Sequence, residues 1–224
     1  MSNYTRIGSF YPHSRFAPGI QADAGRYSKR EKSYYFVKRG IDIVVSLLLV
    51  AGVLSWLVPV IALIIKLDSR GALFFRQKRV GKDGHYFTCY KFRTMRINDE
   101  ADTRPAAGND PRITRAGKWL RRSNIDELPQ LINVLSGEMS LVGPRPHMPA
   151  DCVRFAGLVA DYAFRHQVKP GITGLAQVKG YHGPTPDYES IFRRYQWDAF
   201  YVRNAGMWLD IRIMISTITR RIKL

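Results

Sequence analysis

Cysteine is scarce in this sequence. Its 224 residues include only Cys89 and Cys152, which lie far apart and form no Cys-x-x-Cys pair. A disulfide framework and a thiolate zinc site are therefore excluded, and a reducing compartment is indicated. The five histidines are scattered without the spacing of metal ligands, so we expect no histidine metal site.

Several common catalytic signatures are also absent. The sequence contains no G-x-x-x-x-G-K-[ST], no G-x-G-x-x-G after a strand, no H-E-x-x-H and no G-x-S-x-G. If the chain is an enzyme, it uses other means to bind and activate its substrates.

Acidic residues are few, with 18 Asp and Glu against 35 Lys and Arg, and the net charge is +17. This excess predicts an anionic partner, and charge alone leaves open nucleic acid, a membrane surface with anionic lipids or phosphorylated substrates. Apolar residues at 46% and aromatic residues at 12% supply a packed core, which excludes a disordered scaffold. The length suits one domain, or one domain with an appendage.

One long stretch, residues 43–65, has no charged side chain. As a helix it would extend about 34 Å, enough to cross a hydrocarbon core of about 30 Å. About forty largely polar residues precede it and no small-residue cleavage pattern follows it, which disfavours a cleaved signal peptide. We therefore predict a membrane-embedded helix, with a buried helix of a soluble core as the alternative.

Both flanks of this stretch are basic, with Lys29, Arg30, Lys32, Lys38 and Arg39 before it and Lys66, Arg70, Arg76, Lys78, Arg79 and Lys82 after it. A simple span should be asymmetric under the positive-inside rule, so two basic flanks indicate that both ends return to the cytoplasmic face. Pro59 supplies the bend because it removes a helical hydrogen bond to the Ser55 carbonyl; Gly52 loosens the same region, and the Ser55 hydroxyl could serve a freed backbone group. On these residues alone, a mildly kinked spanning helix is equally consistent.

The rest of the chain shows shorter periodic segments. An Asp-Gly turn joins two stretches with the pattern of a hairpin, and helical spacing or a Ser-Gly stop marks later helices. We predict strands at 73–80 and 85–92, a loop at 98–111 and helices at 113–122, 130–135 and 150–165.

An amphipathic helix is predicted near the C-terminal end. Its apolar residues follow helical spacing, and basic residues occupy other positions. Such a helix packs on a core or lies in the headgroup plane of a membrane. The apolar residues are Ile211, Met214, Ile215, Ile218 and Ile222.

An acidic pair, Asp126 and Glu127, precedes Pro129. If a helix begins near residue 125 or 126, both carboxylates sit at the positive end of its dipole, where free N–H groups also hold phosphate. Adjacent side chains point about 100° apart, so one carboxylate can face a phosphorus atom while the other binds a divalent cation. The alternative is a helix cap, because Ser123-x-x-Asp126 is also a capping-box variant.

Two prolines flank Arg145 and restrict the backbone on either side of it. Little conformational freedom is then lost when its guanidinium grips a phosphate with two hydrogen bonds. A rigid turn that carries a solvated arginine is the alternative. Lys91 and Arg93 lie on one face of the second predicted strand, and such a basic face is usually only solvated.

Six stretches, in order, resemble the monotopic phosphoglycosyl transferases, the bacterial sugar transferases that start surface polysaccharide assembly on a polyprenyl phosphate carrier. The matches run from Tyr34 to the C-terminus. They are KRGID (38–42), FRQKRVG (75–81), KFRTM (91–95), DELPQL (126–131), MSLVGPRP (139–146) and KPGITGLAQV (169–178).

This resemblance implies transfer of a sugar 1-phosphate from a UDP-sugar to undecaprenyl phosphate, with release of UMP, as the first step of exopolysaccharide or other surface glycan assembly. Carried over to this sequence, the nucleophile that forms a phosphosugar-aspartyl intermediate is Asp126, and Glu127 holds Mg²⁺. A covalent intermediate divides one transfer into two, while the metal and arginines offset charge on the phosphoryl oxygens. The implied phosphate-binding residues are Arg121 and Arg145, with Lys91 and Arg93 near the site.

The implied fold class is α+β, a monotopic membrane protein at the cytosolic face of the bacterial inner membrane. A re-entrant helix broken at Pro59, a small β-hairpin and amphipathic interfacial helices would surround a cytosolic active site. We expect an irregular basic leader over 1–33, the re-entrant helix region over 34–72 and the catalytic domain over 73–224.

The sequence departs from the family pattern in two ways. Val58 stands where family members often have serine before the helix-breaking proline, so the hydroxyl would have to come from Ser55. The four spanning helices that precede this domain in longer members are lacking, so the chain resembles the short form.

A competing hypothesis is a membrane-anchored protein that binds nucleic acid through basic residues alternating with aromatics. We expect no nucleic acid, because the basic residues flank a membrane segment and converge on phosphate-sized motifs. The expected partners are a UDP-sugar, undecaprenyl phosphate and anionic membrane lipids. Whether the chain forms a homo-oligomer is left open, as is the sugar, for which residues 180–189 are the place to look.

Overall fold

The computed structural model describes residues 29–98, 110–183, 185 and 187–222. Most of the leader predicted over 1–33 and of the loop predicted over 98–111 lies outside these ranges, but α1 already begins at Lys29. The described helices are α1 (Lys29–Leu49), α2 (Ser55–Asp68), α3 (Arg115–Ser123), α4 (Gln130–Leu135), α5 (Pro149–Ala156), α6 (Leu175–Val178), α7 (Tyr188–Asn204) and α8 (Met207–Ile222). The described strands are β1 (Phe74–Val80), β2 (Tyr86–Phe92), β3 (Ser140–Val142) and β4 (Gly171–Thr173).

A π-helical turn, Val50–Leu54, joins α1 to α2 in one continuous helical run. In this turn the backbone N–H of Ser55 donates to the carbonyl of Val50. Pro59 lies inside α2, which continues through it, so the break predicted at Pro59 is not where the helix departs from regular α geometry. Because Pro59 has no N–H and its ring crowds the carbonyl one turn earlier, we attribute the wider turn that precedes it to this mismatch.

The π turn has side-chain donors at its C-terminal end. Ser55 Oγ donates to the carbonyl of Ala51 at 2.6 Å, and Trp56 Nε1 donates to the carbonyl of Gly52 at 2.9 Å. The predicted backbone role of the Ser55 hydroxyl is therefore confirmed.

Within the described chain, the helical run from Lys32 to Asp68 is long and apolar enough to cross a membrane. Only 17% of its most apolar window is buried, which disfavours the alternative of a buried core helix. Large apolar side chains on this run are exposed on the protein surface. They are Val44, Leu47, Leu48, Leu49, Trp56, Val60, Leu63 and Leu67.

Both ends of the helical run are tied to the same folded unit. Near its start, the Asp42 carboxylate accepts a hydrogen bond from the backbone N–H of Leu141 at 3.0 Å. At its end, the Asp68 carboxylate accepts one from the backbone N–H of Ala116 at 2.8 Å. The two ends are therefore held against one domain rather than directed to separate ones.

The predicted hairpin is confirmed. Strands β1 and β2 pair antiparallel, from Phe74 opposite Phe92 to Val80 opposite Tyr86. A 3₁₀ turn joins them, in which Asp83 and Gly84 both have positive φ, as Asp-Gly turns require.

A close contact places α3 against the segment that follows β2. A Cβ added at Gly117 would lie 1.9 Å from the carbonyl oxygen of Thr94, so only glycine fits here. This contact buries Leu120 beside Phe92 and brings the C-terminal end of α3 to the hairpin.

Strands β3 and β4 form a short parallel pair that the sequence did not predict, with Ser140 opposite Gly171 and Val142 opposite Thr173. A Cβ at Gly171 would lie 2.1 Å from the backbone nitrogen of Gly143, which explains the glycine. The Gly171 N–H also donates to the carbonyl of Pro144 at 3.0 Å, so the pair anchors the start of the Pro-Arg-Pro turn.

The helix predicted over 150–165 is only partly correct. Helix α5 ends at Ala156, and Tyr162–Gln167 forms a separate 3₁₀ segment. The residue before that segment, Asp161, has a left-handed φ of 56°, which interrupts helical geometry. Helix α7, which the sequence analysis did not predict, begins at an Asp187 cap that accepts from the Ser190 N–H at 2.7 Å.

The predicted C-terminal helix is present as α8, and it turns a different face to the core than its apolar stripe suggested. Asp210 and Ile213 are buried, whereas Ile215 and Ile218 are 55% and 60% exposed. Trp208 is exposed as well. Packing on the protein core therefore accounts for only one side of this helix.

Candidate functional site

The acidic pair lies in a 3₁₀ turn, Ile125–Glu127, between α3 and α4. The preceding residue, Asn124, has a left-handed φ of 54° and turns the chain sharply. We predicted a helix that begins near residue 125 or 126, whereas α4 begins only at Gln130. Both carboxyl side chains are buried in this turn rather than placed in the first turn of an α-helix.

The capping-box alternative is not adopted. Ser123 Oγ donates to the carbonyls of Trp119 and Leu120, at 3.0 and 3.1 Å, within its own helix. The serine therefore extends α3 and does not cap a helix that contains Asp126. The acidic pair needs another explanation.

Glu127 is held by two cations. Lys91 Nζ donates to its Oε1 at 2.6 Å, and Arg145 donates through Nη2 to Oε1 at 2.6 Å and through Nη1 to Oε2 at 3.1 Å. Burial would raise the pKa of Glu127, but Arg145 and Lys91 outweigh it and hold that pKa well below its usual value. Glu127 is thus a fixed anion.

Asp126 is in the opposite situation. It is only 7% exposed, yet no side chain among the described residues donates a hydrogen bond to its carboxylate. Burial, with the neighbouring charge of Glu127, raises the pKa of Asp126 to about 6, while Lys91, Arg121 and Arg145 counteract this. At neutral pH the group is therefore mostly ionised and desolvated, without a donor from the described side chains, and such a carboxylate is suited to act as a nucleophile.

One cavity of about 1090 Å³ contains the acidic pair and the predicted basic residues. Lys91, Arg93, Arg121, Asp126, Glu127 and Arg145 all line it. They come from β2 and the segment after it, the end of α3, the 3₁₀ turn and the Pro-Arg-Pro turn. The structure therefore brings together at one site all six residues that the sequence singled out.

The Pro-Arg-Pro turn does not carry a solvated arginine. The Arg145 side chain is bound to Glu127, and the Arg145 carbonyl accepts a hydrogen bond from Arg165 Nη2 at 2.5 Å. Arg165 is fully buried and pairs with Asp198 at 2.8 Å. This buried ion pair supports the turn from behind, so the alternative of a free arginine on a rigid turn is wrong.

Arg121 and Arg93 differ in how many of their guanidinium nitrogens already donate hydrogen bonds within the protein. Arg121 lines the cavity and donates only through Nε, to Thr94 Oγ1 at 2.8 Å, so its terminal nitrogens make no hydrogen bond within the described part of the chain. Arg93 donates to the carbonyls of Ala72, Arg70 and Ser69 at 2.6, 2.8 and 2.8 Å. Arg93 also lines the cavity, but its donors are occupied by the loop after α2, so phosphate binding by Arg93 stays a prediction.

Residues that the sequence analysis did not single out also line the cavity. Arg79, His147 and Arg194 form part of its wall, as do His182 and Thr185 from the segment that we marked for sugar specificity. Arg79, His147 and Arg194 are far apart in sequence, and no spacing rule would have grouped them. His182 and Thr185 place part of the segment 180–189 at the cavity, as that hypothesis requires.

The acidic pair is also the candidate cation site. No group of three or more His, Cys, Asp or Glu side chains that could hold a metal occurs in the described residues. Mg²⁺, however, is commonly bound by one or two carboxylates together with substrate phosphates and water. Glu127 and the adjacent Asp126 supply the one or two carboxylates that such a site needs. The phosphates of the ligand would have to supply further oxygens and to bind Lys91 and Arg145, which now bind Glu127.

The site thus combines a buried carboxylate, for which the described side chains offer no hydrogen-bond donor, with several cations, in a cavity of a chain that also carries a membrane-length apolar helix. The model of the bacterial sugar transferase family matches residues 33–223. The chain belongs to this family, which confirms the resemblance seen in its motifs.

Several curated relatives are similar to this chain. UDP-glucose:undecaprenyl-phosphate glucose-1-phosphate transferases of Xanthomonas campestris pv. campestris and Escherichia coli are each 45% identical, over 192 and 184 residues that cover 84% and 81% of this chain. The chain spans only 39% of the length of each. The exopolysaccharide production protein PSS of Rhizobium leguminosarum bv. phaseoli is 45% identical over 187 residues, which cover 81% of this chain and 93% of that protein.

Proposed function

We propose that this protein transfers a sugar 1-phosphate from a UDP-sugar to undecaprenyl phosphate, releases UMP and so initiates a surface glycan such as an exopolysaccharide. The names of two relatives support the donor and acceptor classes, and the name of a third supports exopolysaccharide production. The observation that carries the chemistry is the Asp126 carboxylate, which is buried and unpaired between Arg121, Lys91 and Arg145.

In the first half-reaction, an Asp126 oxygen attacks the phosphorus that bears the sugar. The bond from this phosphorus to the bridging oxygen breaks, and the bridging oxygen leaves with the electron pair as part of UMP. No proton is transferred, since the acid is ionised at the start and UMP leaves as an anion. The phosphosugar remains on Asp126 as an acyl phosphate.

In the second half-reaction, a phosphate oxygen of undecaprenyl phosphate attacks the same phosphorus. The bond between phosphorus and the Asp126 oxygen breaks, so the carboxylate is restored and the diphosphate-linked sugar leaves on the lipid. Two displacements with one covalent intermediate replace a direct transfer between a soluble and a lipid phosphate.

The cations of the site bind and neutralise phosphate. Arg145 and Lys91 are preorganised by Glu127, and Arg121 offers unpaired donors near Asp126. When bound, Mg²⁺ would be held by Glu127 and would neutralise charge on the phosphoryl oxygens. These cations line a cavity around an acidic pair rather than an open surface, which favours a small phosphorylated ligand over nucleic acid.

The membrane arrangement is part of the proposal. Both ends of the apolar run bind one polar domain, which does not cross a bilayer, so both ends lie on the same side. The exposed apolar side chains of the run and of α8 would contact lipid, with the basic flanks at the anionic cytosolic face. A monotopic protein at the inner membrane results, with its cavity open to soluble donors and a lipid acceptor.

The test is UMP release by the purified full chain in nanodiscs, measured across a panel of UDP-sugars with undecaprenyl phosphate. Asp126→Asn should abolish release, and mass spectrometry of the wild type without acceptor should find the phosphosugar on the peptide that contains Asp126. The matched control is Asp161→Asn, since Asp161 is exposed and its left-handed backbone suits asparagine. Full activity of Asp126→Asn would refute the assigned nucleophile.

A further inference from the structure

Three buried nitrogen atoms with no hydrogen-bond partner belong to residues of one cavity wall. They are Arg79 Nε, His147 Nε2 and Arg194 Nε. In the described part of the chain only two other buried side-chain atoms lack a partner, on Ser46 and Gln177, and neither residue lines this cavity. Buried polar groups are nearly always paired, so three exceptions at one wall point to a ligand that pairs them.

The wall is held in place by hydrogen bonds that use other atoms of the same residues. Arg79 Nη1 donates to the carbonyl of Pro146 at 3.1 Å, and its Nη2 donates to Gln77. Arg194 Nη2 donates to the carbonyl of Gly183 at 2.5 Å. The two guanidiniums are thus anchored at one edge and unpaired at Nε.

His147 presents a donor of a different kind. Its Nδ1 is hydrogen-bonded to the Tyr162 hydroxyl. If the Tyr162 hydroxyl donates to Nδ1, the ring proton is on Nε2, and Nε2 is the one atom without a hydrogen-bond partner. If Nδ1–H donates instead, both the hydroxyl hydrogen of Tyr162 and the Nε2 lone pair lack a partner. The first arrangement is the more favourable, and burial lowers the pKa of His147, which keeps the ring neutral. Nε2 is therefore an N–H donor.

A wall of two guanidiniums and one imidazole N–H requires a ligand group rich in acceptor oxygens and negative charge. Phosphate meets this requirement better than a sugar, whose hydroxyls also need acceptors. The wall adjoins the catalytic cluster, since Arg145, Pro146 and His147 are consecutive and Arg79 binds the Pro146 carbonyl. A second phosphate next to the one at Asp126 would reach it.

We propose that Arg79, His147 and Arg194 form a second phosphate subsite, which binds the phosphate of the departing UMP. This inference rests on the proposed function. When the bridging oxygen leaves with its electron pair, the charge it gains is neutralised by the two guanidiniums and the imidazole N–H, without proton transfer. Because the three nitrogens are covered in this structure, all three side chains must shift when the phosphate binds, and some of the hydrogen bonds that now hold them are exchanged for hydrogen bonds to it.

The position of the wall separates it from the lipid acceptor. The cavity is also lined by Ala72, Leu73 and Phe74, which follow the helical run, where a lipid phosphate would arrive. Arg79 lies near the other end of β1 from Phe74, His147 follows the Pro-Arg-Pro turn, and Arg194 belongs to α7. The subsite should therefore serve the first half-reaction only.

The experiment measures the two half-reactions separately with the full chain in nanodiscs. UMP release in a single turnover without acceptor reports the first, and transfer from the isolated phosphosugar adduct to undecaprenyl phosphate reports the second. Arg79→Gln and Arg194→Gln should each slow the first by about 10²-fold to 10³-fold and leave the second within about twofold. Inhibition by UMP should weaken at least about tenfold in both variants, while inhibition by uridine, which has no phosphate, stays unchanged.

Two sets of variants keep this test decisive. Arg193→Gln is the matched control, because Arg193 is the exposed neighbour of Arg194 on α7 and pairs with Glu189. His147→Gln, which keeps an N–H donor, should retain more first-step activity than His147→Phe. Arg79→Lys and Arg194→Lys replace the glutamine variants if those do not fold.

The outcomes distinguish this inference from the proposed function. If the wild type releases no UMP from any UDP-sugar, the proposed function fails. If it releases UMP but the variants keep normal UMP inhibition, or slow both half-reactions equally, the second phosphate subsite is refuted. An effect that depends on the sugar while UMP inhibition is unchanged would assign the wall to the sugar and would also refute it.

Discussion

Arg39 in α1 donates to the carbonyl of Val134 at 2.6 Å, at the C-terminal end of α4. A second hydrogen bond runs from the same guanidinium to the carbonyl of Leu135 at 3.0 Å. Helix α4 begins at Gln130, three residues after Glu127. The long apolar helical run is thus bonded to the far end of the short helix that follows the acidic pair.

We expect Arg39→Gln to lower the free energy of unfolding by about 1–3 kcal/mol, because two helix-terminal carbonyls lose a charged donor. Thermal unfolding in detergent measures the change, and UMP release shows whether the acidic pair is displaced. Lys78→Gln, an exposed change on β1, is the control. Equal stability of the two variants would contradict the capping role of Arg39.

The rate of the first half-reaction should depend on the ionisation of Asp126. Burial raises the pKa of this group to about 6, and only the ionised form attacks phosphorus. Single-turnover UMP release should therefore be constant above about pH 7 and fall about tenfold per pH unit below pH 6. A profile that stays flat down to about pH 4 would show that a different group, or an unperturbed carboxylate, limits the rate.

The same pKa predicts a cost to stability. A carboxyl whose pKa is raised in the folded state is favoured in its protonated form, so its stabilising effect is present below pH 3.8 and is lost as pH rises through about 6. At neutral pH the ionised Asp126 then opposes folding by about 3 kcal/mol. We expect Asp126→Asn to melt at a higher temperature than the wild type at pH 7.5.

The difference in melting temperature should shrink as pH falls toward 4, since the wild-type acid is then protonated in the folded state and no longer buries a charge. Asp161→Asn removes an exposed carboxylate of the same type and should show no such gain. A variant at Asp126 that is less stable at every pH would indicate that the carboxylate is held by favourable contacts instead.

The contrast between Arg93 and Arg145 gives a third kind of test. Arg93 donates to three backbone carbonyls, so Arg93→Gln should destabilise the fold by about 2–4 kcal/mol with little change in KM for the UDP-sugar in the folded fraction. Arg145→Gln should instead raise KM and lower kcat for UMP release, because the guanidinium is placed for phosphate. Similar kinetic defects in the two variants would contradict the separation of their roles.

The sequence predicts those structural features that depend on residues close together in the chain. The hairpin follows from Asp83 and Gly84, and the bounds of α4 from the helical run and the Ser-Gly stop, because turns and helix ends depend on neighbouring residues. The six site residues were identified by motif, and all of them line one cavity.

Features set by tertiary contact were not predicted. Arg93 is basic like Arg121, and only the position of three distant carbonyls separates their roles. The β3 and β4 pair depends on the close approach of Gly143 and Gly171, which no periodicity in either short segment reveals. The π turn at Val50–Leu54 likewise lies several residues before Pro59, to which we attribute it. The sequence therefore predicted the helical irregularity at Pro59 and not at its actual position.

The orientation of the helical run can be tested in intact cells by cysteine labelling. Both native cysteines, Cys89 and Cys152, are buried, and burial raises the pKa of each thiol, so neither should react with a charged maleimide. Lys32→Cys and Lys82→Cys place single exposed thiols before and after the apolar run. Because both ends bind one domain, both positions should stay unlabelled in intact cells and become labelled together after the inner membrane is permeabilised. Labelling of one position alone in intact cells would mean that the run crosses the bilayer, and the hydrogen bonds of Asp42 and Asp68 to a common domain could then not form in the membrane.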